Sequence, residues 1–475
     1  MDEYIQKGKV NDTTKVNDAT IIIFGITGYL AKRKLLPAIY KLKAKKCNRI
    51  LVIGIARSET TAEQILSQAK EFMPKIEDDT WKKLKDCLYY KSVDFNNNED
   101  YTKMKEFIED KEKKHNMPGN RVYYFATPTE AFGNVAENLS RYGVIKKSKE
   151  TFSRIVFEKP FGSDMKSAQE LNMHVNKTFK EDQIYRIDHY LGKELIGNIA
   201  LVRFTNRFLE PLWNSKNIEH VEIIMTENID IENRGKFYDK NGALKDVVQN
   251  HVLQLLALTA MEEPKMLTGE YIRTEKAKVL NNTEVKEYIL GQYEGYRNEQ
   301  GVDSKSDTET FAALKLEINT PRWRGVPFYV KAGKSLDKKN ISIHLKFKHT
   351  KCLLMAECPA DTNYFDIRVQ PDEGFSFELN TKIPGEKYRV TPAVMGFSQK
   401  NMFENTPEAY EILIEDILNG DQSMFVRNDE IEFSWKIIDA VTKVKDKKVY
   451  SYTKGSSGPE EFLKWSAKNH VKWRK

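Results

Sequence analysis

The chain has 475 residues, is 40% hydrophobic and 31% charged, and holds only 24 Gly and 15 Pro; that excludes a disordered or fibrous protein, and a chain this long builds cores that need no disulfide staples. Its 76 Lys and Arg against 69 Asp and Glu leave a net charge of +7, mixed with acids through stretches such as Lys103 to Lys114, so it lacks the basic stripe of a nucleic-acid binder. The most apolar stretches, Ile21 to Phe24 and Val252 to Met261, fall far short of the roughly 20 residues that span a bilayer, so no membrane partner is expected.

Residues 1–20 have no apolar leader and read as a polar arm before the first strand. Ala19–Gly25 is a β-branched run that predicts a strand. Leu30 to Lys45 predicts a helix, with Leu35, Ile39 and Leu42 at helical spacing. Arg49–Ala56 predicts a second, buried strand. Helical segments follow around Ala62–Met73 and Tyr101–His115, with further strands at Arg121–Thr127 and Arg154–Lys159. Strands separated by helices predict a parallel, doubly wound, Rossmann-like sheet with crossover helices, here the first domain, 1–185.

Beyond residue 200 the pattern changes. Ala243 to Met261 predicts a helix in which Leu244, Val248, His251 and Leu255 form one stripe. Polar Gln292–Thr308 predicts a surface loop. Ala312, Leu314, Leu316 and Ile318 then alternate with polar or small residues, as do Ile341, Ile343, Leu345 and Phe347, and Phe375, Phe377 and Leu379. Period two predicts a mostly antiparallel sheet, half covered by helices, in a larger α+β domain, 186–475. Its other face is either solvated or paired with another subunit. Cys47, Cys87, Cys352 and Cys358 make no disulfide framework and no zinc site; they predict free or buried thiols in a reducing cytoplasm, with no metal.

The first strand runs directly into GITGYLAKRK (Gly25–Lys34). Gly25 and Gly28 allow a tight turn and a close backbone approach to a pyrophosphate, and the following helix points its N-terminal amides at the anion. The spacing is G-x-x-G-x-x-A. At the end of the second strand, where an NAD site places an acid for the ribose 2′-hydroxyl, stand Arg57 and Ser58. A guanidinium and a hydroxyl suit a 2′-phosphate, which favours NADP. Arg57 could equally be a surface cation, and Glu59 could serve NAD.

GITGYLAKRKLLPAIY, RIVFEKPFG (Arg154–Gly162), RIDHYLGKE (Arg186–Glu194), DVVQNHVLQ (Asp246–Gln254) and VPFYVKAGKSL (Val326–Leu336) occur together and in this order. The set resembles the glucose-6-phosphate dehydrogenase family, from about residue 20 to 470. The resemblance implies NADP-dependent oxidation of glucose 6-phosphate to the 6-phosphogluconolactone, the first step of the pentose phosphate pathway, by a cytoplasmic homodimer or homotetramer. It implies coenzyme contacts from Gly25, Thr27, Gly28, Tyr29 and Leu30 at the turn, from Arg57 and Ser58, and from Lys159. One residue departs: where the family turn usually reads G-x-x-G-D-L-A, Tyr29 replaces the Asp.

Oxidising an anomeric hydroxyl requires a base within hydrogen-bond reach of its proton, and histidine titrates near working pH. A lone His on an apolar face is ordinarily a core residue, but the His of QNH, His251, matches the family's base. Asp188 matches the carboxylate that orients it. His189, Tyr190 and Lys193 match the substrate-phosphate set; phosphate needs such clustered donors. Lys334 and Lys339 match positions that reach the substrate, with Lys338 adjacent to the second. Glu227 and Asp246 match acceptors for the glucose ring. Lys159 matches a residue facing both substrate and nicotinamide, Pro160 after it is expected cis, and Lys34 matches a position at the substrate end. Two other functions fit the same plan. One is an oxidoreductase acting on a different sugar, which the basic cluster would restrict to a phosphorylated one. The other is a non-catalytic sugar-phosphate sensor, which would have no use for a base.

Overall fold

Six short strands, β1 (Ala19–Phe24), β2 (Ile50–Ala56), β3 (Leu88–Ser92), β4 (Arg121–Phe125), β5 (Ser153–Glu158) and β6 (Ile184–Ile187), form a sheet in the order β3-β2-β1-β4-β5-β6. Every pair is parallel. β1, β2 and β4 are buried throughout, as strands covered by helices on both faces must be. These features come from a computed structural model that describes residues 16–45, 49–73, 75–127, 132–146, 148–349, 362–387, 389–403 and 406–474. The N-terminal arm up to residue 15, and Cys47, Cys352 and Cys358, lie outside the described residues. Cys87 is free and buried.

The second sheet has nine strands: β7 (Ile218–Thr226), β8 (Thr283–Tyr293), β9 (Phe311–Ile318), β10 (Pro327–Gly333), β11 (Asn340–Phe347), β12 (Tyr364–Gln370), β13 (Gly374–Lys382), β14 (Val390–Ser398) and β15 (Val449–Tyr452). Their order is β14-β13-β12-β11-β7-β10-β9-β8-β15. Only the β7/β10 and β8/β15 pairs are parallel; the others are antiparallel. The central strand β7 is buried nearly end to end, so it lacks the alternation that marks β9, β11 and β13 in the sequence. The back of the sheet is neither wholly solvated nor wholly open. Phe311, Ala313 and Tyr329 are covered there by Phe462 and Trp465 of the C-terminal helix Glu460–Lys468. At the far strands Leu379, Val394 and Met395 stay exposed. The stretch 294–310 is a loop, as the polar sequence predicts, but an anchored one: Tyr296 is fully buried and its hydroxyl donates to Asp239 at 3.0 Å.

One late element returns to the first sheet. Helix Ala409–Asn419 lies against helix Leu36–Lys45, with Lys41 and Lys45 each 2.8–2.9 Å from Glu411. Ile414 and Ile417 pack over Ile21 and Ile23 of β1. Arg154 at the start of β5 donates to the carbonyls of Ile417 and Leu418.

The helix predicted over Ala243–Met261 is present but not uniformly α. Leu244–Val252 winds as a π-helix and only Leu253–Ala260 is α. In an α-helix, residues five apart point about 140° away from each other. A π turn closes on the fifth residue, so Asp246 and His251 come to lie nearly one above the other. The helix predicted from Leu30 likewise begins with a π turn, Ala31–Leu35.

Candidate active site

The site is built from strand ends. β5 delivers Lys159, joined to Pro160 by a cis peptide as expected. β6 delivers Asp188, after which the turns Leu191 N to Asp188 O and Lys193 N to Tyr190 O lead into helix Glu194–Thr205. β7 and β10 run parallel, so both C-terminal ends reach the same place. Glu227 and Lys334 follow them, tied by Glu227 N donating to Gly333 O at 2.9 Å. The π-helix supplies Asp246 and His251 from above. Together with His189 and Tyr190, the side chains of Lys159, Glu227, Asp246, His251 and Lys334 line one cavity of about 280 Å³, with Asp188 buried behind His251.

His251 is at its centre, 3% exposed. Its Nδ1 lies 2.5 Å from Oδ1 of Asp188, which also accepts from the Tyr190 amide at 3.0 Å. Its Nε2 lies 2.9 Å from Nζ of Lys159. An ammonium can only donate, so Nε2 must accept, and the ring proton must sit on Nδ1, donating to Asp188. The same ammonium donates to the carbonyl of Asp246 at 2.9 Å and to its carboxylate at 3.3 Å. On the opposite side Arg234 stands 3.6 Å from the other oxygen of Asp246. Lys334 donates to Glu227 in a short hydrogen bond. The rings of His189 and Tyr190 pack against the His251 ring, with centroids 5.0 and 4.3 Å away.

Burial sets the protonation states, and charge partners decide where it loses. Burial alone would raise the Asp188 carboxyl, but the charge and hydrogen bond of His251 outweigh it and bring it down to about 2. Burial lowers His251 below the ordinary histidine value of 6.5, against the pull of Asp188. Burial, then the neighbouring His251, lowers His189 to about 3. Burial would also raise Asp246, yet Lys159 and Arg234 hold it below the usual carboxylate value. At neutral pH the cavity therefore presents a neutral imidazole backed by an ionised carboxylate. Asp188, His189 and His251 bring their ligand atoms within 4.8 Å of one another, close enough for a metal ion. Both ring nitrogens of His251 are already engaged, Nδ1 by Asp188 and Nε2 by the Lys159 ammonium.

Not all the sequence candidates share this cavity. Lys193 lies behind Tyr190, its Nζ 5.5 Å from that ring and 4.0 Å from Glu373, lining a neighbouring cavity of about 510 Å³. Burial lowers it to about 8, with Lys339 adding repulsion. Lys339 is exposed, and its charge acts on Lys193, whereas that of Lys338 acts on Lys331. Lys193 and Lys339 thus form a cationic rim beside His189 and Tyr190. Lys34 is part-exposed and faces Glu408 at 3.7 Å. Arg234, Phe237, Tyr238, Lys245 and Asn250 also line the catalytic cavity, and none was singled out from sequence. Arg234 comes from a single short turn, Glu232–Arg234, which has no periodic signal. Asn250 stands beside His251 in QNH and was passed over. So was Glu158, before Lys159: half-buried, it accepts from Tyr124 at 2.6 Å and Tyr410 at 3.1 Å, and burial raises it to about 7.

The glycine turn lies at the C-terminal end of β1. Gly25 takes φ +83°, and a Cβ there would meet Ala126 O and Thr127 Cγ2 at 2.9 Å; a Cβ on Gly28 would meet Gly25 O at 3.0 Å. The backbone is folded where only hydrogen fits, as a cradle for pyrophosphate requires. Thr27 and Leu30 are part-exposed beside it, and Tyr29 is 65% exposed. Arg57 and Ser58 are exposed beyond β2, their carbonyls held by Ser92 and Tyr90. These residues fit a phosphorylated dinucleotide.

Two family models match the chain: "Glucose-6-phosphate dehydrogenase, NAD binding domain" over residues 22–198 and "Glucose-6-phosphate dehydrogenase, C-terminal domain" over residues 200–474. The glucose-6-phosphate 1-dehydrogenase of Chlamydia pneumoniae is 38% identical over 501 residues, covering 98% of each chain. That of Bacillus subtilis (strain 168) is 38% identical over 486 residues, covering 97% of this chain and 99% of the relative. A solved structure of a glucose-6-phosphate dehydrogenase in complex with its substrate glucose 6-phosphate is similar at a TM-score of 0.91 and 32% identity, over 97% of this chain and 100% of that one.

Proposed function

The chain belongs to the glucose-6-phosphate dehydrogenase family, and on that premise we propose that it oxidises D-glucose 6-phosphate at C1 to 6-phospho-D-glucono-1,5-lactone with NADP, using His251 as general base, as the first step of the oxidative pentose phosphate pathway. The observation that carries the role of His251 is its pair of neighbours: Asp188 at Nδ1 and the Lys159 ammonium at Nε2. They put the ring proton on Nδ1 and the lone pair on Nε2 at the cavity wall, where the substrate hydroxyl takes the place of the Lys159 ammonium.

In this proposal the C1 hydroxyl gives its proton to Nε2, and Asp188 stabilises the imidazolium that forms. Lys159 stands beside the same nitrogen, where negative charge gathers on the departing proton's oxygen. Asp246 and Glu227, each held by a lysine, accept from sugar hydroxyls, with Lys334 beside them. His189, Tyr190, Lys193 and Lys339 receive the substrate phosphate. Gly25, Thr27, Gly28, Tyr29 and Leu30 would cradle the coenzyme pyrophosphate, and Arg57 and Ser58 its 2′-phosphate, with Lys159 at the nicotinamide end. When bound, NADP supplies the acceptor for the hydride that leaves C1. The coenzyme unit is 1–185 and the substrate and oligomerisation unit 186–475, a division supported by the two separate sheets, with β6 straddling the boundary. A cytoplasmic homodimer or homotetramer is part of the proposal. In support of the assembly, exposed Leu379 and Met395 lie on one face of β13 and β14. No helix among the described residues is long and apolar enough to cross a membrane.

Initial rates with glucose 6-phosphate against NADP and NAD in parallel test the activity. Reduced-coenzyme absorbance is expected, faster with NADP; folded protein that reduces neither coenzyme would refute the proposal.

The pH profile follows from the site. The base works only when His251 is neutral, so activity holds above its pKa and is lost as pH falls through it. Because burial lowers that pKa below 6.5, the acid limb of kcat/KM is expected below pH 6.5. Asp188, at about 2, stays ionised throughout. On the other side, Lys193 loses its charge above about 8, so phosphate binding weakens and kcat/KM falls again. An acid limb above 6.5 would mean that another group controls the rate.

A further inference from the structure

Tyr29 is an exposed tyrosine at a turn that a dinucleotide must touch, and it holds an arginine. Arg33, one helical turn on, donates to the Tyr29 hydroxyl in a short hydrogen bond, and its guanidinium carbon lies 5.2 Å from the ring centroid. Phe72 meets the ring edge-on at 6.0 Å. Phe72 lies in the turn just past helix Ala62–Lys70, which follows β2, so Tyr29 and Arg33 lie on the β2 side of the turn. The turn itself is bonded to the end of β2: the amides of Gly25 and Ile26 both donate to Ile55 O. Two residues past Ile55, just beyond the end of β2, stands Arg57. In sheets of this kind the adenosine half of the coenzyme lies over the second strand, with its 2′ group at that strand's end.

Arg33 and Arg57 are both exposed. Among the described residues, neither is paired with a carboxylate within 4.0 Å. A 2′-phosphate is a dianion with three acceptor oxygens, and two guanidinium forks satisfy it better than one. Position 29 decides whether Arg33 is available. An acid there would sit at i, i+4 from Arg33 and pair with it, neutralising the charge. A tyrosine holds the same side chain through its hydroxyl and ring face and leaves the charge intact.

We propose that Tyr29 presents Arg33 as a second guanidinium, beside Arg57, for the coenzyme 2′-phosphate, so that this pair sets the preference for NADP over NAD. The proposal rests on the dehydrogenase function above and adds the residues that select its coenzyme. Tyr29 acts here as a positioning residue through Arg33.

The test is equilibrium binding by calorimetry, without sugar phosphate, using 2′,5′-ADP and 5′-AMP as probes that differ only in the 2′-phosphate. Wild type, Arg33→Gln and Tyr29→Asp are compared. Arg33 is an exposed helix residue, and unchanged thermal melting will confirm that its variant is folded. Arg33→Gln is expected to weaken 2′,5′-ADP by about 10–100-fold, the range for a lost hydrogen bond to a charged group, with 5′-AMP held within about twofold. Tyr29→Asp, which pairs Arg33 anew, is expected to weaken 2′,5′-ADP in the same selective way. The ratio of kcat/KM for NADP over NAD should fall in parallel. If Arg33→Gln leaves 2′,5′-ADP unchanged, or weakens both probes equally, the proposal is overturned. Should wild type reduce NADP with glucose 6-phosphate while Arg33→Gln shows no selective loss, only this inference fails. Wild type that reduces neither coenzyme removes the dehydrogenase function instead.

Discussion

Replacing His251 by asparagine is expected to lower kcat by about 10²–10⁴-fold, the usual contribution of a positioned base, while the dissociation constant for glucose 6-phosphate stays within about threefold. The expectation rests on the division of labour around the imidazole. The residues proposed to hold the sugar and its phosphate are anchored without it: Asp246 by Lys159 and Arg234, Glu227 by Lys334, and Lys193 on the far side of Tyr190. Only proton removal depends on Nε2. Asparagine keeps a polar group within reach of the buried Asp188, so that carboxylate is not stranded. Turnover and calorimetric affinity, measured on the same preparation, separate the two effects. Turnover close to wild type would take His251 out of the base role, and a collapse of affinity would make it a binding residue.

Asp188→Asn is the second large effect, and the structure predicts its form. In many His–Asp pairs the carboxylate fixes the imidazole tautomer, but here Lys159 does so independently, because a protonated Nε2 cannot face an ammonium 2.9 Å away. The loss should therefore come mainly from the missing counter-charge to the imidazolium. Breaking one partner of a buried ion pair costs about 3–5 kcal/mol, which predicts a fall of about 10²–10⁴-fold in kcat/KM. Without this carboxylate the main opposition to desolvation is gone and only the weaker pull of Asp246 remains, so the acid limb should also move further down in pH. A large loss with an unmoved acid limb would show that Asp188 serves orientation alone.

The first domain was legible because its physics is local. A β-branched run, a glycine turn and a helix occupy one continuous stretch, Ala19–Lys45, and each part is determined by its neighbours. The His251–Asp188 pair was legible only through a motif resemblance, since no local pattern brings together residues 63 positions apart. Two features were not legible. Leu244, Val248 and His251 stay buried in the π-helix, which also turns Asp246 toward the side of His251, where Lys159 bonds to both. At α-helical spacing Asp246, five residues before His251, would lie off that face. Arg234 comes from a turn with no period, and its relation to Asp246 exists only after the chain has folded. The large sheet was half legible: β9, β11 and β13 show their alternation, whereas β7, buried on both faces, shows none.

The return of helix Ala409–Asn419 to the first sheet bears on how the protein is made. Ile414 and Ile417 cover Ile21 and Ile23, and the carbonyls of Ile417 and Leu418 satisfy Arg154. The ribosome completes β6 long before it reaches this helix. At roughly 5–20 residues per second, the interval is roughly 10–40 s. During that time the nascent first sheet has one apolar flank uncovered, and the protein must finish its earliest unit with one of its latest segments.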